Sequence, residues 1–397
     1  MVDSHHNHAC VVCQSNNTEI FVTVPQVPVL CNILWPTAAE AKAVRRVDIP
    51  LAFCHQCGHI FNPHFDPTLM DYSQVYENSL HFSPRFQQFA ETLAADLVAR
   101  HDLHQKAIVE ISCGKGDFLT MLCQLGGNHG YGFDPSYVGE PVVATGEGSV
   151  TFVKDFYSEC YSDYPVDFLC CRHTLEHIEE PRGFMQMVRT ILGERRLPLY
   201  FEVPNVLFTL RDLAIWDIIY EHCGYFNYSS LQQLFVQCGF TVCDVQPTYE
   251  GQFLYIEALP ADATDPIQGI AGSAAAPSHI VEDVRSFAAR YQTKVAAERE
   301  KLAQLKATGQ KAVIWGAGSK GITFLNMLQT EGAIDYAVDL NVRKQGKYIT
   351  GTGQQIVSPE FLRSYQPDVV IVMNPIYTEE IRQMLASLGV DAELVSA

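Results

Sequence analysis

Residues 110–118 read Glu-Ile-Ser-Cys-Gly-Lys-Gly-Asp-Phe and decide the fold, because they place a glycine loop directly after an apolar strand predicted over residues 107–111. A predicted helix over residues 118–125 follows the loop, and a second short strand ends in the acid of Tyr-Gly-Phe-Asp, residues 131–134. In doubly wound α/β folds, ligands bind outside the carboxyl ends of the strands, where glycines let them approach the backbone. An acid at the end of the second strand suits ribose hydroxyls. The stretch therefore predicts a Rossmann-like α/β domain with a nucleoside site at this loop.

The loop is shorter than a dinucleotide-binding loop, and it lacks the third glycine that packs helix against strand around a pyrophosphate. Such a loop suits a nucleoside without phosphates, such as S-adenosylmethionine. Two further pieces follow: Val-Lys-Asp-Phe at residues 153–156, whose acid and aromatic ring could hold adenine, and a strand over residues 166–171 that leads into Arg-His-Thr-Leu-Glu-His. The predicted cofactor-binding residues are Glu110, Ser112, Gly114, Gly116, Phe118, Asp134, Pro135, Asp155, Phe156 and His173.

The order of these four pieces resembles class I methyltransferases, and Thr-Leu-Glu-His-Ile at residues 174–178 is similar to the segment after their fourth strand. Ser112 departs from that pattern, because the family usually carries its first loop glycine at this position. The alternative interpretation is an ordinary nucleotide-binding Rossmann unit, which shares the strand, loop and helix order.

Length and composition limit the function classes. A chain of 397 residues should hold two or three domains, and its net charge of −18 argues against nucleic acid or an anionic membrane as the main partner. There is no apolar run of 18 residues, and the polar, His-rich start is not a signal peptide. Most of the 13 cysteines are therefore expected to be reduced thiols of a cytoplasmic protein.

Two C-x-x-C knuckles lie near the start of the chain. Four thiolates in matched pairs are the usual closed, tetrahedral shell of structural zinc. The 40 residues between the pairs contain strand-like segments and predict a β insertion. A redox pair is the competing idea, but neither knuckle lies in a thioredoxin-like context. The predicted zinc ligands are Cys10, Cys13, Cys54 and Cys57, in preference to the nearby His8, His55 and His59.

A second glycine loop opens the last part of the chain. Residues 316–321 read Gly-Ala-Gly-Ser-Lys-Gly between a strand and a helix, and a second strand ends in Asp339, as in a dinucleotide site. Only enough chain remains for half of a dinucleotide fold, which suggests a small four-stranded unit. A nucleotide or phosphate cradle, or a structural relic, is therefore favoured over a working NAD site.

The predicted fold class is α/β, and the domains are a zinc-binding β module at residues 1–70, a methyltransferase domain at 71–260, a linker at 261–282 and a smaller C-terminal Rossmann-like domain at 283–397. This combination resembles the sugar C-methyltransferases of antibiotic deoxysugar pathways, which methylate C3 of a TDP-linked 4-keto-deoxysugar. Besides the knuckles and the second glycine loop, the resemblance rests on Tyr-Glu-His at residues 220–222 and Asp-Leu-Asn-Val-Arg-Lys-Gln-Gly at residues 339–346.

The resemblance implies S-adenosylmethionine and structural zinc as cofactors, a nucleotide-sugar as the small-molecule partner, and a monomer or weak dimer. It implies catalytic roles for His222, Glu221, His177 and Tyr76, and substrate contacts by Tyr220, Gly318, Ser319 and Lys320. The family carries two tyrosines before Glu-His where this chain has Ile219 and Tyr220, so the exact sugar stays open.

The chemistry of carbon methylation fits these residue types. A carbon next to a ketone loses a proton to form an enolate, and histidine titrates near working pH. We assign the base role to His222, with Glu221 orienting it or binding a substrate hydroxyl. His177 and Tyr76 are expected to donate hydrogen bonds to the enolate oxygen, and methyl transfer is then an in-line displacement.

Three alternatives remain open from the sequence. Residues 173–177 match H-x-x-E-H, the inverted zinc-protease pattern, although His173 should fall at a strand end. A second alternative is a non-enzymatic scaffold that only binds a nucleotide-sugar. The third is a methyltransferase that acts on oxygen, or on the carbon of a non-sugar ketone, since only the pocket would differ.

Overall fold

The computed structural model describes residues 8–70, 77, 79–262, 265, 278–329 and 332–397. Tyr76, one of the predicted catalytic residues, lies outside the described residues. Among the residues that are described, no helix combines the length and apolar character needed to cross a bilayer.

The N-terminal module is a small antiparallel β-sheet. Its elements are β1 (Thr18–Pro28), α1 (Ala38–Lys42), β2 (Arg46–Cys54) and β3 (Ile60–Phe61). β1 and β2 pair in an antiparallel register from Thr18 opposite Cys54 to Pro28 opposite Arg46. The inner face of this hairpin is apolar, and β2 is buried from Ile49 to Cys54. The predicted β insertion between the two knuckles is therefore confirmed.

The central domain contains a large mixed sheet. The strands of this domain are β4 (Ala107–Ile111), β5 (His129–Phe133), β6 (Val142–Thr145), β7 (Gly148–Val153), β8 (Phe168–Arg172), β9 (Leu199–Pro204), β10 (Gly224–Tyr225), β11 (Phe240–Thr248) and β12 (Phe253–Pro260), and all of them except β10 belong to the sheet. Its helices are α2 (Pro84–Arg100), α3 (Asp117–Gly126), α4 (Pro181–Leu192), α5 (Val206–Arg211) and α6 (Tyr228–Gln237). The strand order is β11-β12-β9-β8-β4-β5-β7-β6.

The centre of this sheet is parallel and its edges are antiparallel. β4 pairs in parallel with β5 and β8, and β12 runs antiparallel between β9 and β11. β11 and β12 thus form an antiparallel hairpin at one edge of the sheet. At the other edge, β6 adds an antiparallel strand to β7. β10 does not join this sheet but pairs with β3 of the N-terminal module.

Helix boundaries follow local capping signals. Ser83 caps α2 through the amide of Phe86, Pro84 occupies the first turn, and the apolar stripe of the helix is buried on the core side. Asn227 and Ser230 form a reciprocal capping box at the start of α6. α5 ends at Arg211, and a short 3-10 helix (Ile215–Asp217) follows. Other 3-10 helices lie at Pro67–Leu69, Glu159–Tyr161, Leu175–His177, Pro359–Phe361 and Pro375–Tyr377.

The C-terminal domain is a parallel sheet preceded by a long helix. Its elements are α7 (Ser278–Thr308), β13 (Ala312–Trp315), α8 (Ser319–Leu328), β14 (Tyr336–Val338), β15 (Gln355–Val357), α9 (Leu362–Tyr365), β16 (Val369–Val372), α10 (Thr378–Leu388) and β17 (Glu393–Ser396). The strand order is β15-β14-β13-β16-β17. The prediction of four strands was wrong, because the short β15 adds to β14 at one edge. The predicted domain boundaries stay a prediction.

Ser112, at the start of the first glycine loop, has a left-handed backbone with φ +55°. An L-residue is strained there, whereas glycine is not. We expect Ser112→Gly to raise the free energy of unfolding by roughly 0.5 kcal/mol, the relief of strain less the entropy gained by the unfolded chain. Urea unfolding measures this, with Ser112→Ala as the control that removes the hydroxyl but keeps the Cβ. Equal stabilisation by both substitutions would contradict the backbone explanation.

Candidate functional site

The four knuckle cysteines come together at one point. Their sulfur atoms all lie within 4.8 Å of one another, with Cys10 Sγ 3.6 Å from Cys57 Sγ and Cys13 Sγ 3.5 Å from Cys54 Sγ. These distances are too long for disulfides. They are close to the separation of about 3.8 Å between ligands of a tetrahedral zinc with Zn–S bonds of about 2.3 Å. The donor set therefore fits a closed structural zinc site.

The nearby histidines do not belong to this cluster. His55 Nε2 lies 3.2 Å from Glu19 Oε2, and His59 is buried between the rings of Phe61 and Phe226. The preference for four sulfur ligands fits this geometry. β3 begins three residues after Cys57, so the cysteine cluster is next in sequence to the strand that pairs with β10.

The first glycine loop folds around the carboxylate of Asp134. Gly114 and Gly116 have φ +58° and +82°, and the amide of Gly114 donates to Asp134 Oδ2 over 2.9 Å. The other oxygen of Asp134 accepts from the amide and hydroxyl of Ser136. A Cβ on Gly116 would lie 2.3 Å from the ring of Phe152, whereas one on Gly114 would meet open space. Gly116 is therefore required by packing, and Gly114 leaves room for a ligand.

β7 is followed by an exposed acid, Asp155, and an exposed aromatic ring, Phe156. Asp155 accepts hydrogen bonds from the Tyr161 hydroxyl and the Phe156 amide, and the Tyr161 bond is the main reason why its pKa lies below the ordinary value. The side chain of Phe156 is 70% exposed. An apolar ring left in solvent next to a fixed carboxylate is suited to covering a flat heterocycle.

Two of the predicted cofactor residues lie in the interior. Phe118 is buried, and the Arg172 guanidinium carbon lies 4.2 Å from its ring centroid. Glu110 is also buried, and burial raises the pKa of its carboxyl to about 8. These side chains support the loop from within the core. Pro135, next to Asp134, is partly exposed.

His173 is held by a buried carboxylate network at the end of β8. Its Nε2 lies 3.0 Å from Glu202 Oε1, and Arg172 makes a 2.8 Å ion pair with the same oxygen. The Tyr200 hydroxyl donates to the other oxygen of Glu202. Burial would raise the pKa of Glu202, but the Arg172 charge outweighs it and holds this pKa at about 2. His173 has φ +52° and is not helical, so the residues of H-x-x-E-H do not share one helix, as a protease site requires.

His177 and His222 form an adjacent pair. Their ring centroids are 4.8 Å apart in an edge-to-face arrangement. Nδ1 of His177 lies 2.8 Å from the carbonyl oxygen of Glu221. A carbonyl can only accept, so Nδ1 carries the proton and Nε2 has the lone pair of the neutral ring. One carboxylate oxygen of Glu176 lies within 4.8 Å of the ring nitrogens of both histidines.

The surroundings keep both histidines neutral. Burial lowers the pKa of His177 to about 4. Burial comes first, followed by the repulsion that a protonated His222 would meet from His177, His173 and Lys320, and together they lower the pKa of His222 well below its ordinary value. Burial also raises the pKa of Glu176 to about 8. At neutral pH the pair can therefore accept a proton, and the neighbouring carboxyl holds one.

The side chains before His222 have other partners. The Glu221 carboxylate is fully buried and accepts from the Cys31 amide over 3.1 Å. The Tyr220 hydroxyl accepts from the Asp66 amide over 2.8 Å, and its ring packs on Phe65. Both side chains join the N-terminal module because buried backbone amides need acceptors. The backbone carbonyl of Glu221 accepts from Nδ1 of His177, while its carboxylate accepts from the Cys31 amide.

The second glycine loop has partners within the chain. Lys320 makes an ion pair with Asp217, and Lys344 Nζ donates to the carbonyl of Ala317 over 3.1 Å. A Cβ on Gly318 would lie 3.9 Å from that same ammonium. Gly318 precedes α8, and Ser319 is its first residue. Three of the predicted substrate residues, Gly318, Ser319 and Lys320, thus lie at the start of α8 with the Lys320 ammonium already paired, whereas Tyr220 bonds Asp66.

Comparisons with known proteins agree with this geometry. Residues 85–245 match the family model described as a methyltransferase domain, and residues 270–394 match that of a C-methyltransferase C-terminal domain. The two matched segments follow one another along the chain without overlapping. These matches confirm the predicted likeness to C-methyltransferases, and the sheet topology confirms the predicted α/β fold.

One curated relative is C-methyltransferase NovU of Streptomyces niveus, which is 29% identical over 217 residues. The match covers 53% of this chain, and the chain spans about half (51%) of that relative's length. Among solved structures, a magnesium protoporphyrin IX methyltransferase from Synechocystis is 20% identical over 44% of this chain and 84% of its own, with a TM-score of 0.35. A Burkholderia thailandensis 1,6-didemethyltoxoflavin-N1-methyltransferase is 14% identical over 45% and 82%, with a TM-score of 0.33. These TM-scores are too low for the two structures to support a conclusion about this chain.

Sequence reasoning missed three residues beside the histidines: Arg172, Glu176 and Glu202. A signal for Glu202 was present, since it is a single acid in the otherwise apolar strand β9. A buried charge needs a partner, and the arginine that ends the neighbouring strand β8 is the partner that parallel pairing supplies.

The zinc cluster leads to a test by metal analysis. We expect about one tightly bound zinc per chain, which Cys54→Ser should release with a fall in the melting temperature, because the metal contributes to folding. Cys160→Ser, at an exposed cysteine outside the cluster, is the matched control. Unchanged zinc content in Cys54→Ser would contradict the assignment. Two zinc ions per chain, one of them lost in His222→Ala, would point to metal at the histidine pair.

Proposed function

We propose that this protein is an S-adenosylmethionine-dependent C-methyltransferase that acts on the carbon next to the ketone of a nucleotide-linked 4-keto sugar. The observation that carries the proposal is the neutral pair of His177 and His222 beside the strand ends of a methyltransferase sheet. The match of residues 270–394 to a C-methyltransferase C-terminal domain, and the likeness to NovU, support carbon as the acceptor.

The residues of the first glycine loop fit S-adenosylmethionine. The open space at Gly114 and the buried acid Asp134 suit the ribose, and Asp155 with the exposed ring of Phe156 suits adenine. The bound cofactor would supply an electrophilic methyl group. Ser112, His173 and Pro135 would shape the loop around it, while Glu110 and Phe118 support the loop from the core.

Proton abstraction is the step that needs a base. His222 is neutral at working pH because burial and nearby positive charges lower its pKa, so it is ready to accept a proton from a carbon acidified by a ketone. The developing enolate charge then needs a donor close to the oxygen. His177 does not suit that role in its neutral form, because its only N–H is used by Glu221. We therefore assign the donor role to Tyr76 and place His177 beside His222 as a second proton acceptor.

The nucleotide-sugar is proposed to lie between the histidines and the C-terminal domain. Gly318 and Ser319, at the start of α8, offer backbone amides of the kind that bind phosphate. Tyr220 and Lys320 would contribute only by exchanging their present partners, Asp66 and Asp217. A cytoplasmic monomer or weak dimer fits this use of all sites within one chain. The alternative is C- or O-methylation of a non-sugar small molecule, which would use the same core.

The proposal is tested by separating proton abstraction from methyl transfer. We expect His222→Ala to lose both methyl transfer to a TDP-4-keto-deoxysugar and, in deuterated water, exchange of the proton next to the ketone. A general base contributes about 10²–10⁴-fold. Affinity for S-adenosylhomocysteine by calorimetry should not change, and exposed His104→Ala should behave as the wild type. Exchange retained in His222→Ala would assign the base elsewhere. Methylation of a non-sugar ketone, with none of a panel of nucleotide-sugars, would favour the alternative.

The lowered histidine pKa values predict the pH dependence of turnover. A base is active when deprotonated, so lowering its pKa moves the loss of activity to lower pH. We expect kcat/KM to change by less than about twofold between pH 7.5 and 6.0 and to fall only as pH drops toward the pKa values of His177 and His222. Circular dichroism at each pH controls for unfolding. An acid limb at pH 6.5 or above would contradict a buried histidine base.

A further inference from the structure

The segment that follows Tyr76 is attached to the C-terminal domain by a buried carboxylate. Glu77 is only 4% exposed, and its Oε1 accepts from Ser79 N over 3.0 Å and from Asn341 Nδ2 over 3.1 Å. Its Oε2 accepts from Arg343 Nη1 over 3.0 Å. Burial opposes ionisation, but the bonds from Arg343, the Ser79 amide and Asn341 outweigh it and hold the pKa of Glu77 below its ordinary value. A charge buried this deeply is retained only because each of its oxygens is paired.

The backbone of Glu77 contacts a third part of the molecule. Its amide donates to the carbonyl of Asn32 over 2.9 Å. Glu77 thus joins the N-terminal module, the start of the central domain and the C-terminal domain. We call residue 77 together with residues 79–85 the strap, because this segment crosses between the three.

The far end of the strap is held by the same C-terminal domain. Glu380 on α10 accepts from the Ser83 hydroxyl over 3.0 Å and from the Arg85 amide over 3.2 Å. Between the two ends, the guanidinium carbon of Arg343 lies 5.6 Å from the centroid of the Phe82 ring. Contacts at both ends and in the middle argue for a positioned segment rather than a chance surface contact.

The groups that hold Glu77 lie just after β14, the strand that follows the second glycine loop and its helix α8. Asp339 comes directly after β14 and accepts from the amides of Ala317 and Asn341. Asn341 in turn fixes the Arg343 amide through its side-chain oxygen. In a dinucleotide domain the residues at this strand end face the ribose. In this chain two of them, Asn341 and Arg343, bind the strap.

We infer that the C-terminal domain holds the strap through the contact of Glu77 with Arg343 and Asn341, and that turnover depends on this contact. This inference rests on the proposed function. In the sequence the strap directly follows Tyr76, to which the proposed function gives the donor role. Glu77 and Arg343 are positioning residues, since they act through the strap and not on the reacting atoms.

The test compares strap order with turnover in the full-length protein. Arg343→Met removes the guanidinium while keeping an unbranched side chain, and Arg343→Lys keeps the charge. The matched control is Arg211→Met, which removes another ion pair to the C-terminal domain, with Asp283 on α7, that does not touch the strap. Hydrogen exchange of the peptide covering residues 77–83, measured without ligands, reports strap order.

We expect Arg343→Met to raise strap exchange and to lower kcat, each about fivefold to tenfold, the size expected for one charge-assisted hydrogen bond at a half-exposed arginine. KM and the Kd for S-adenosylhomocysteine should not change, and Arg343→Lys should restore part of both effects. Glu77→Gln should resemble Arg343→Met, and the double variant should be no worse than either single one, because both break one contact.

Each other outcome overturns the inference in a recognisable way. Unchanged strap exchange in Arg343→Met would mean that the contact does not hold the strap. Faster exchange with unchanged kcat would mean that the strap is held but does not position a group for turnover. If the wild type methylates no 4-keto nucleotide-sugar, the proposed function fails and the positioning role fails with it, whereas the exchange measurement still decides whether the C-terminal domain holds the strap.

Discussion

The candidate site depends on the hydrogen bonds that bind residues 221–225 to two domains at once. The amide of Cys223 donates to the carbonyl of Glu176, and its carbonyl accepts from the amide of Asn62. β10 then pairs with β3, which begins three residues after Cys57 of the four-cysteine cluster. Because backbone pairs of this kind leave little freedom, they fix His222 against His177. A zinc ion held by the four cysteines would therefore stabilise the module whose strand β3 pairs with β10.

Buried charge controls the chemistry that these side chains can perform. Glu202 stays ionised because Arg172 and His173 both contact its Oε1, and it holds the end of β8 in place. Burial instead raises the pKa of Glu176 to about 8. Two carboxyls whose oxygens lie 3.0 Å and 3.8 Å from ring nitrogens of His173 therefore differ in charge at neutral pH. His177 and His222, which lie beside Glu176, stay neutral, as a base for carbon acids requires.

The two domains with glycine loops share one hydrogen bond, from a loop amide to an acid, but differ in what surrounds it. In each, an acid at the end of the second strand accepts from a loop amide, Asp134 from Gly114 and Asp339 from Ala317. In the first domain the space at Gly114 stays open. In the second, Lys344 bonds the loop carbonyl, and Asn341 bonds the strap. The same local motif is therefore a candidate ligand site in one domain and a clamp on another segment in the other.

The sequence by itself determined the α/β class, the two cysteine pairs that meet in one cluster and the two glycine loops, because these depend on local periodicity, spacing and backbone preference. It did not determine the partners of Tyr220, Glu221 and Lys320, which were predicted at the site but bond Asp66, Cys31 and Asp217. Nor did it reveal the tautomer of His177 or the attachment of Glu77 to Arg343. Each of these depends on residues distant in sequence, and only the tertiary structure decided which buried donor meets which acceptor.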